Sequence, residues 1–301
     1  DPRTLSATAI ARTFDVLRRG TARFEGGGDA LRQMLLDKLL TQHAGEKRPV
    51  SPRGIVLRRG KAHGLVVGER AETLGSRAIL CALPIAEFGD LFGAKRPRRL
   101  VQATRSICPA AYRCVVNLVI ANAGIPEGMA PLSFVVIDPT KPLMGDNAFA
   151  VFVGEPDNEA RVSVSVVANA AAPGDGENLD DIVARLRYRL VERLQEVMPF
   201  SGEHTLLVHS PNLARPPDGI SVKQQAPVFP PEPLWTLGTP PVLGVTGLPY
   251  DTGVGNATAA SAQNLPGLGI EGSFAAGWCA ARLVCHAAGK KKDYLRNEVL
   301  E

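Results

Sequence analysis

The sequence has few cysteines and no close pair among them. Cys81, Cys108, Cys114, Cys279 and Cys285 are an odd set with no C-x-x-C spacing, which argues against a zinc site or a disulfide framework. Each reads as a small apolar residue of the interior, and the cytoplasm is the default compartment for such a chain. Long apolar runs are missing as well, so no transmembrane helix is expected. No signal peptide is visible at the start. Charge of one sign is weak: the formal net charge is +4 over 301 residues, which gives no reason to propose a nucleic acid or membrane partner. His43, His63, His204, His209 and His286 show no metal-ligand spacing, no Ser-His-Asp triad is legible, and no internal repeat appears. What remains is an ordinary globular composition, 45% apolar and 21% charged, with chain enough for a large core or two domains. Residue 1 is Asp rather than Met, so the chain is expected to be a fragment or a processed product.

Residues 4–19 read as a helix ended by Gly20. "FEGGGDALRQMLLDKLL" predicts a second helix whose face is set by Leu31, Met34, Leu35, Lys38 and Leu39, with Asp29 suited to its positive end. Two apolar runs, Ile55 to Leu57 and Leu65 to Val67, flank a Gly60-Lys61 turn and predict a hairpin. "RAILCALP" reads as a buried strand stopped by Pro84. "KRPRR" at 95–99 reads as a solvated loop. From 110 to 169 the pattern turns β-rich. Val162, Val164 and Val166 alternate with Ser163 and Ser165, which predicts an antiparallel sheet with one polar face. A long helix is expected from Leu179 to Val197, capped by Asn178 and ended by Pro199. "HTLLVHS" reads as a strand that sets His204 and His209 on opposite faces. Proline-rich loops follow, then strands at "VLGVTG" and "NATAASA". A last helix is predicted from about Ile270 to Ala288, with Gly289 at its C′ position and Lys290 to Lys292 at its negative end.

The stretch "NLPGLGIEGSFAAG" sets Gly267, Gly269 and Gly272 at G-x-G-x-x-G spacing. That spacing marks a dinucleotide site when it opens a βαβ unit, and here too little chain follows to complete one. Glycine in a helix costs about 1 kcal/mol relative to alanine, so something must need access to the backbone. One reading is a helix N-terminus whose bare N–H groups meet a pyrophosphate or the pyrimidine carbonyl of a flavin. The other is close packing of the helix on its neighbours. Spacing alone does not separate them.

"NATAASAQNLPGLGIEGSFAAGWCAARLV" resembles the C-terminal FAD motif of the phytoene desaturase/carotenoid isomerase-like branch of flavin-dependent oxidoreductases, in the flavin amine oxidase superfamily. Pro266, Gly267 and Gly269 match its Pro-Gly-x-Gly turn, and Ser261 and Ala262 match the small residues at the preceding strand end. "FEGGGDALRQMLLDKLL" resembles the family's PGG helix, and the hairpin with "AILCALP" resembles the segment beside the adenine-ribose half of FAD. The resemblance implies an α/β (α+β) fold with an incomplete FAD/NAD(P)-binding domain, 21–84 and 242–289. It implies an antiparallel-sheet substrate domain, 1–20 and 85–241, and a tail at 290–301. It implies FAD-contacting residues Ser261, Ala262, Pro266, Gly267, Leu268, Gly269, Ile270, Glu271 and Gly272, and it favours the flavin reading of the glycines.

The family's principal FAD site is an N-terminal βαβ unit with a true G-x-G-x-x-G and an acidic residue for the ribose. This sequence has none: Gly26 to Gly28 follow no strand and have the wrong spacing. The chain is therefore read as a fragment, as the partner of a chain that supplies the missing half, or as a shortened homologue, with weak or absent FAD binding by itself. The resemblance implies FAD-dependent oxidation or isomerisation of an apolar substrate, a polyene among the candidates, with redox chemistry carried by the flavin. The rival expectation is a non-catalytic subunit or binding module. Tyr250, Asp251 and Trp235 are candidates to line a substrate cavity, and Glu271 either touches the cofactor or balances the helix dipole.

Overall fold

The computed structural model describes residues 14–15, 18–20, 24–41, 49–213, 228–238, 247–266, 268–287 and 289. The chain forms two compact units, residues 1–108 with 237–301, and residues 109–236. The first unit thus takes in residues 1–20 and 85–108, which the sequence reading grouped with the substrate domain.

In the first unit, residues 14–15 and 18–19 are helical, and the rest of the expected 4–19 helix lies outside the described residues. Helix α1, Gly27–Thr41, forms where periodicity predicts it, but of its apolar stripe only Leu31 is buried. Met34, Leu35, Leu39 and Leu40 are exposed. Periodicity specifies that a helix has an apolar face and says nothing of what covers it. Strands β1, Pro52–Arg58, and β2, Lys61–Val67, make the hairpin. Its turn is Arg59-Gly60, one residue earlier than expected. Both have positive φ, 49° and 75°, as a turn matched to strand twist requires. Strand β3, Glu72–Gly75, adds a third antiparallel strand that the sequence reading did not foresee.

Strand β4, Ile79–Cys81, forms where the apolar run predicts a strand, with Ile79 and Cys81 buried but Leu80 exposed. Two helices follow that the sequence reading missed, α2, Ile85–Asp90, and α3, Arg98–Ser106. The "KRPRR" stretch is therefore not simply a loop. Arg98 and Arg99 open α3 directly after Pro97. Arg96 pairs with Asp90, and Arg99 with Asp251. The rings of Phe88 and Phe92 meet at 5.4 Å within a core that also holds Ile79, Ile85, Leu100 and Leu248.

The second unit is one antiparallel sheet and a helix. Its strands are β5, Ile107–Ala121; β6, Leu132–Val136; β7, Ala148–Val153; and β8, Arg161–Ala171. Helix α4, Leu179–Val197, has its expected bounds. The Asn178 side chain caps it by accepting from the Asp180 amide at 3.0 Å. Helix α5, Ser201–His204, precedes β9, Thr205–His209. His204 therefore ends a helical turn, and only His209 lies on the strand. Strand β10, Glu232–Leu237, completes the order β10-β5-β8-β7-β6, with β9 also on β5. Val116, Leu118, Ile120, Val164 and Val166 face Leu186, Leu190 and Leu194 of α4 in a closed core.

The chain then completes the first unit. Residues 242–246 of the expected "VLGVTG" strand lie outside the described residues. Strand β11, Ala257–Ala259, pairs in parallel with β4. Helix α6, Gly269–Ala287, ends the described fold but for Gly289, and Lys290 to Lys292 lie outside it. Asn256 secures this region: its Oδ1 accepts from the Ala62 amide at 2.7 Å, and its Nδ2 donates to the carbonyls of Ala62 and Arg77. No helix among the described residues is long and apolar enough to cross a membrane.

Leu190 is fully enclosed in the second unit. Leu190→Ala is expected to lower stability by about 3 kcal/mol through lost transfer energy and a residual cavity. Chemical denaturation followed by circular dichroism measures it, and a loss under about 1 kcal/mol would contradict the packing described.

Candidate functional site

Two regions carry chemistry, one in each unit. The first begins where β11 stops. The amide of Ala260 donates to the Cys81 carbonyl at 2.8 Å, extending the parallel pair by one rung. Ser261 then caps a short 3₁₀ turn, Ala262–Asn264. Its Oγ accepts from the Gln263 amide at 3.2 Å, and Asn264 Oδ1 accepts from the Ser261 amide at 2.8 Å. Gln263 Oε1 accepts from the Ile85 amide at 2.7 Å, tying the turn to the start of α2. The Asn264 carbonyl accepts from the Leu248 amide at 2.8 Å. These bonds hold the turn rigidly ahead of α6.

The site residues expected from the sequence separate into two groups. Ser261 and Gly272 are buried, and Ser261 uses both its hydroxyl and its amide inside its own loop. Ala262, Gly269, Ile270 and Glu271 are exposed together. Pro266 and Leu268 are half-buried, and Gly267 lies outside the described residues. Gly269 has φ +58°, a conformation glycine adopts without cost. A Cβ on Gly272 would stand 2.7 Å from the Leu265 carbonyl oxygen and 2.8 Å from Leu268 Cβ. Close packing therefore accounts for Gly272, and backbone conformation for Gly269. The opening amides of α6 precede its first intrahelical bond and have no helical partner. Ile270, 58% exposed, leaves this end open.

The other sequence candidates are spread out. Asp251 is held by Arg99 and by the Gly253 amide. Trp235 is half-buried on β10. Burial pushes the Tyr250 phenol up to about 12, and the neighbouring Cys279 thiol adds to the shift, so Tyr250 stays a protonated donor across the physiological range. Among the described residues no group of three or more His, Cys, Asp or Glu is placed to hold a metal ion.

The second region is a groove of about 640 Å³ on the face of the sheet opposite α4. Register gives its floor in rows. Arg113 opposes Asn169, and Ala148 opposes Val136. In the next row Val115 opposes Val167, Val167 opposes Ala150, and Ala150 opposes Phe134. In the third, Asn117 opposes Ser165, Ser165 opposes Phe152, and Phe152 opposes Leu132. The face is apolar over β6 and β7, and over β5 and β8 it mixes Arg113, Asn117, Ser165 and Asn169 with Val115 and Val167. Phe134 is 78% exposed and Leu143 61%, a concentration of apolar surface that normally marks a binding site. The sequence reading missed this groove. The available signal was that β6 and β7, unlike β8, keep apolar residues at both alternating positions.

No family model and no curated protein matches the chain. Solved structures do. An oxidoreductase from Methanosarcina mazei superposes with a TM-score of 0.54 at 14% identity, over 85% of this chain and 54% of that one. A glycerol-3-phosphate dehydrogenase from Bacillus halodurans complexed with FAD gives 0.46 at 8% identity, over 82% and 40%. Cyclohexylamine oxidase from Brevibacterium oxydans gives 0.46 at 14%, over 75% and 46%. The chain spans about half the length of the solved structures it matches. Its described residues have the mixed helix-and-sheet fold of the Methanosarcina oxidoreductase.

Two glycines of α6 are expected to respond oppositely. Gly272→Ala should cost about 1–3 kcal/mol by overpacking. Gly277→Ala, with nothing within 4 Å of the added Cβ, should gain up to about 1 kcal/mol. Thermal melts of the two variants check this, and equal melting temperatures would count against the packing assigned to Gly272. For Tyr250, a phenol raised from 10.0 to about 12 contributes stability that is complete below pH 10 and lost as pH rises through 12. Comparing the ultraviolet tyrosinate titration with that of Tyr250→Phe should remove one transition near pH 12.

Proposed function

We propose that the chain is part of an FAD-dependent oxidoreductase of the phytoene desaturase/carotenoid isomerase-like type, acting on an apolar substrate. One observation carries the reading: the open start of α6, presented by a rigid turn at the end of a parallel strand. The residues there fit the flavin end of the cofactor. Ala262 is small and exposed, and the opening amides of α6 are available to an electron-rich carbonyl. Ser261, Pro266, Gly267, Leu268, Gly269, Ile270, Glu271 and Gly272 complete the proposed contact segment, Ser261 and Gly272 by shaping it. When bound, the flavin would supply hydride acceptance. The protein's part is to hold that ring edge against fixed N–H dipoles, which costs no reorganisation during reaction. The fold shared with the Methanosarcina oxidoreductase supports this reading. The groove of the second unit supports an apolar substrate.

The adenine and pyrophosphate half of FAD has no matching cradle among the described residues, so binding by this chain alone is expected to be weak. A second reading, a non-catalytic subunit that pairs with a chain carrying the βαβ half, is favoured by the β4–β11 pair. Parallel sheets are ordinarily larger and covered on both faces, yet this one has two strands, with Leu80 exposed.

Fluorescence titration of FAD with the purified chain tests the proposal. Micromolar or weaker binding is expected, with Ala262→Trp lowering affinity at least tenfold by blocking the ring. An Ala262→Trp variant that binds as well would overturn the cofactor assignment. Sub-micromolar binding would overturn the claim that half of the site is missing.

A further inference from the structure

We infer that the groove on the second unit's sheet takes an amphipathic ligand, an apolar chain ending in a carboxylate, with Arg113 as the residue that reads the acid. This deepens the proposed function, on which it rests for calling the groove a substrate site. The apolar half of the floor is Phe134, Val136, Ala148, Ala150 and Phe152, with Leu143 beside it. Along the row that opens with Arg113, side chains pass from Arg113 and Asn169 to Ala148 and Val136. In this row polarity changes once, across the strands, so a pure hydrocarbon lying along it would leave the Arg113 end unmatched; the next row, from Val115 to Phe134, is apolar throughout.

Arg113 is suited to a carboxylate. It is half-exposed, and among the described residues its partner is Glu232, met through a single nitrogen, Nη1, at 2.8 Å. Glu232 is 66% exposed, and an ion pair this accessible contributes little. The guanidinium fork keeps Nε and Nη2 for a second, two-point partner. An incoming carboxylate would compete with Glu232 and gain the second hydrogen bond. Neighbouring strands stand about 4.8 Å apart. From β8 to β6 the apolar floor is thus about 10 Å long, the length of a medium acyl chain, and the volume lies within the range of small-molecule sites.

Calorimetric titration with decanoate and with decanol, matched in chain length, tests the inference on the purified chain without FAD. Decanoate is expected to bind at least tenfold more tightly. Arg113→Gln should abolish that preference and leave decanol unchanged, while Phe134→Ala should weaken both. Glu232→Gln, which removes the competitor, should tighten decanoate severalfold, and it keeps the test decisive if Arg113→Gln fails to fold. Equal affinity for the two ligands, no binding of either, or decanoate binding indifferent to both charge variants would overturn the inference. The FAD titration is read separately. A flavin response that Ala262→Trp lowers, without carboxylate preference, sinks this inference alone, and carboxylate preference with Ala262→Trp binding FAD as well as the parent sinks the flavoenzyme reading alone.

Discussion

The first unit depends on one amide side chain. Asn256 joins residues 194 positions apart, closing a two-way hydrogen-bonded ring with the backbone of Ala62 and adding a bond to Arg77. The Ile79 amide donates to the Asn256 carbonyl at 2.8 Å. The antiparallel hairpin and the parallel β4–β11 pair are therefore locked together at the point where β11 starts. Three residues of strand follow, then the capped 3₁₀ turn, then α6. The turn ahead of α6 is fixed by backbone and side-chain hydrogen bonds, and of the helix itself Gly272, Ala276 and Ala280 are buried. Side chains that small let the helix approach its neighbours closely, and they leave its first turn facing outward.

In the second unit the constraint is the two-residue period of the strand. Every residue committed to the core beneath α4 commits its neighbour to the opposite face. Val116, Leu118 and Ile120 inward put Val115, Asn117 and Val119 outward, and Val164 and Val166 put Ser163, Ser165 and Val167 outward. Once α4 has covered one face, the composition of the other is free of packing demands. Asn117, Ser163, Ser165 and Asn169 share it with Val115, Val119 and Val167 over β5 and β8, while β6 and β7 keep phenylalanine, valine and alanine there. An exposed Phe134 does not help the core, so its presence calls for a ligand or a covering surface.

Much of this was legible from pattern alone. The α4 helix announces itself through its stripe and its Asn178 cap. The hairpin, β4, β11 and α6 all sit close to where alternation, apolar runs and glycine suggest. What was not legible has particular causes. Helix α2 is six residues long, too short to show a period. Helix α3 is mostly polar and begins inside a basic stretch, where Arg96 pairs with Asp90 and Arg99 with Asp251. The hairpin turn was misplaced by one residue because a non-glycine, Arg59, takes a positive φ. The groove was invisible because its polarity runs across strands, and only register reveals which residues share a row.

The glycine cluster shows why a motif and its cause should be separated position by position. Gly272 is required by its own turn, whose Leu265 carbonyl leaves no room for a Cβ, and that requirement would hold with or without a cofactor. Gly269 answers to backbone conformation. What these two local requirements do not explain is why the adjoining residues stay uncovered: Ile270, Phe274 and Trp278, one turn apart on α6, are all exposed. So are Leu80 of the parallel pair and the stripe of α1. Burial of a large apolar side chain is worth about 1.5–3 kcal/mol, so these residues, like Phe134 and Leu143 of the second unit, forgo stability that packing would supply. Packing within the described residues accounts for the glycines and leaves the exposed faces of α1, β4 and α6 without a packing role.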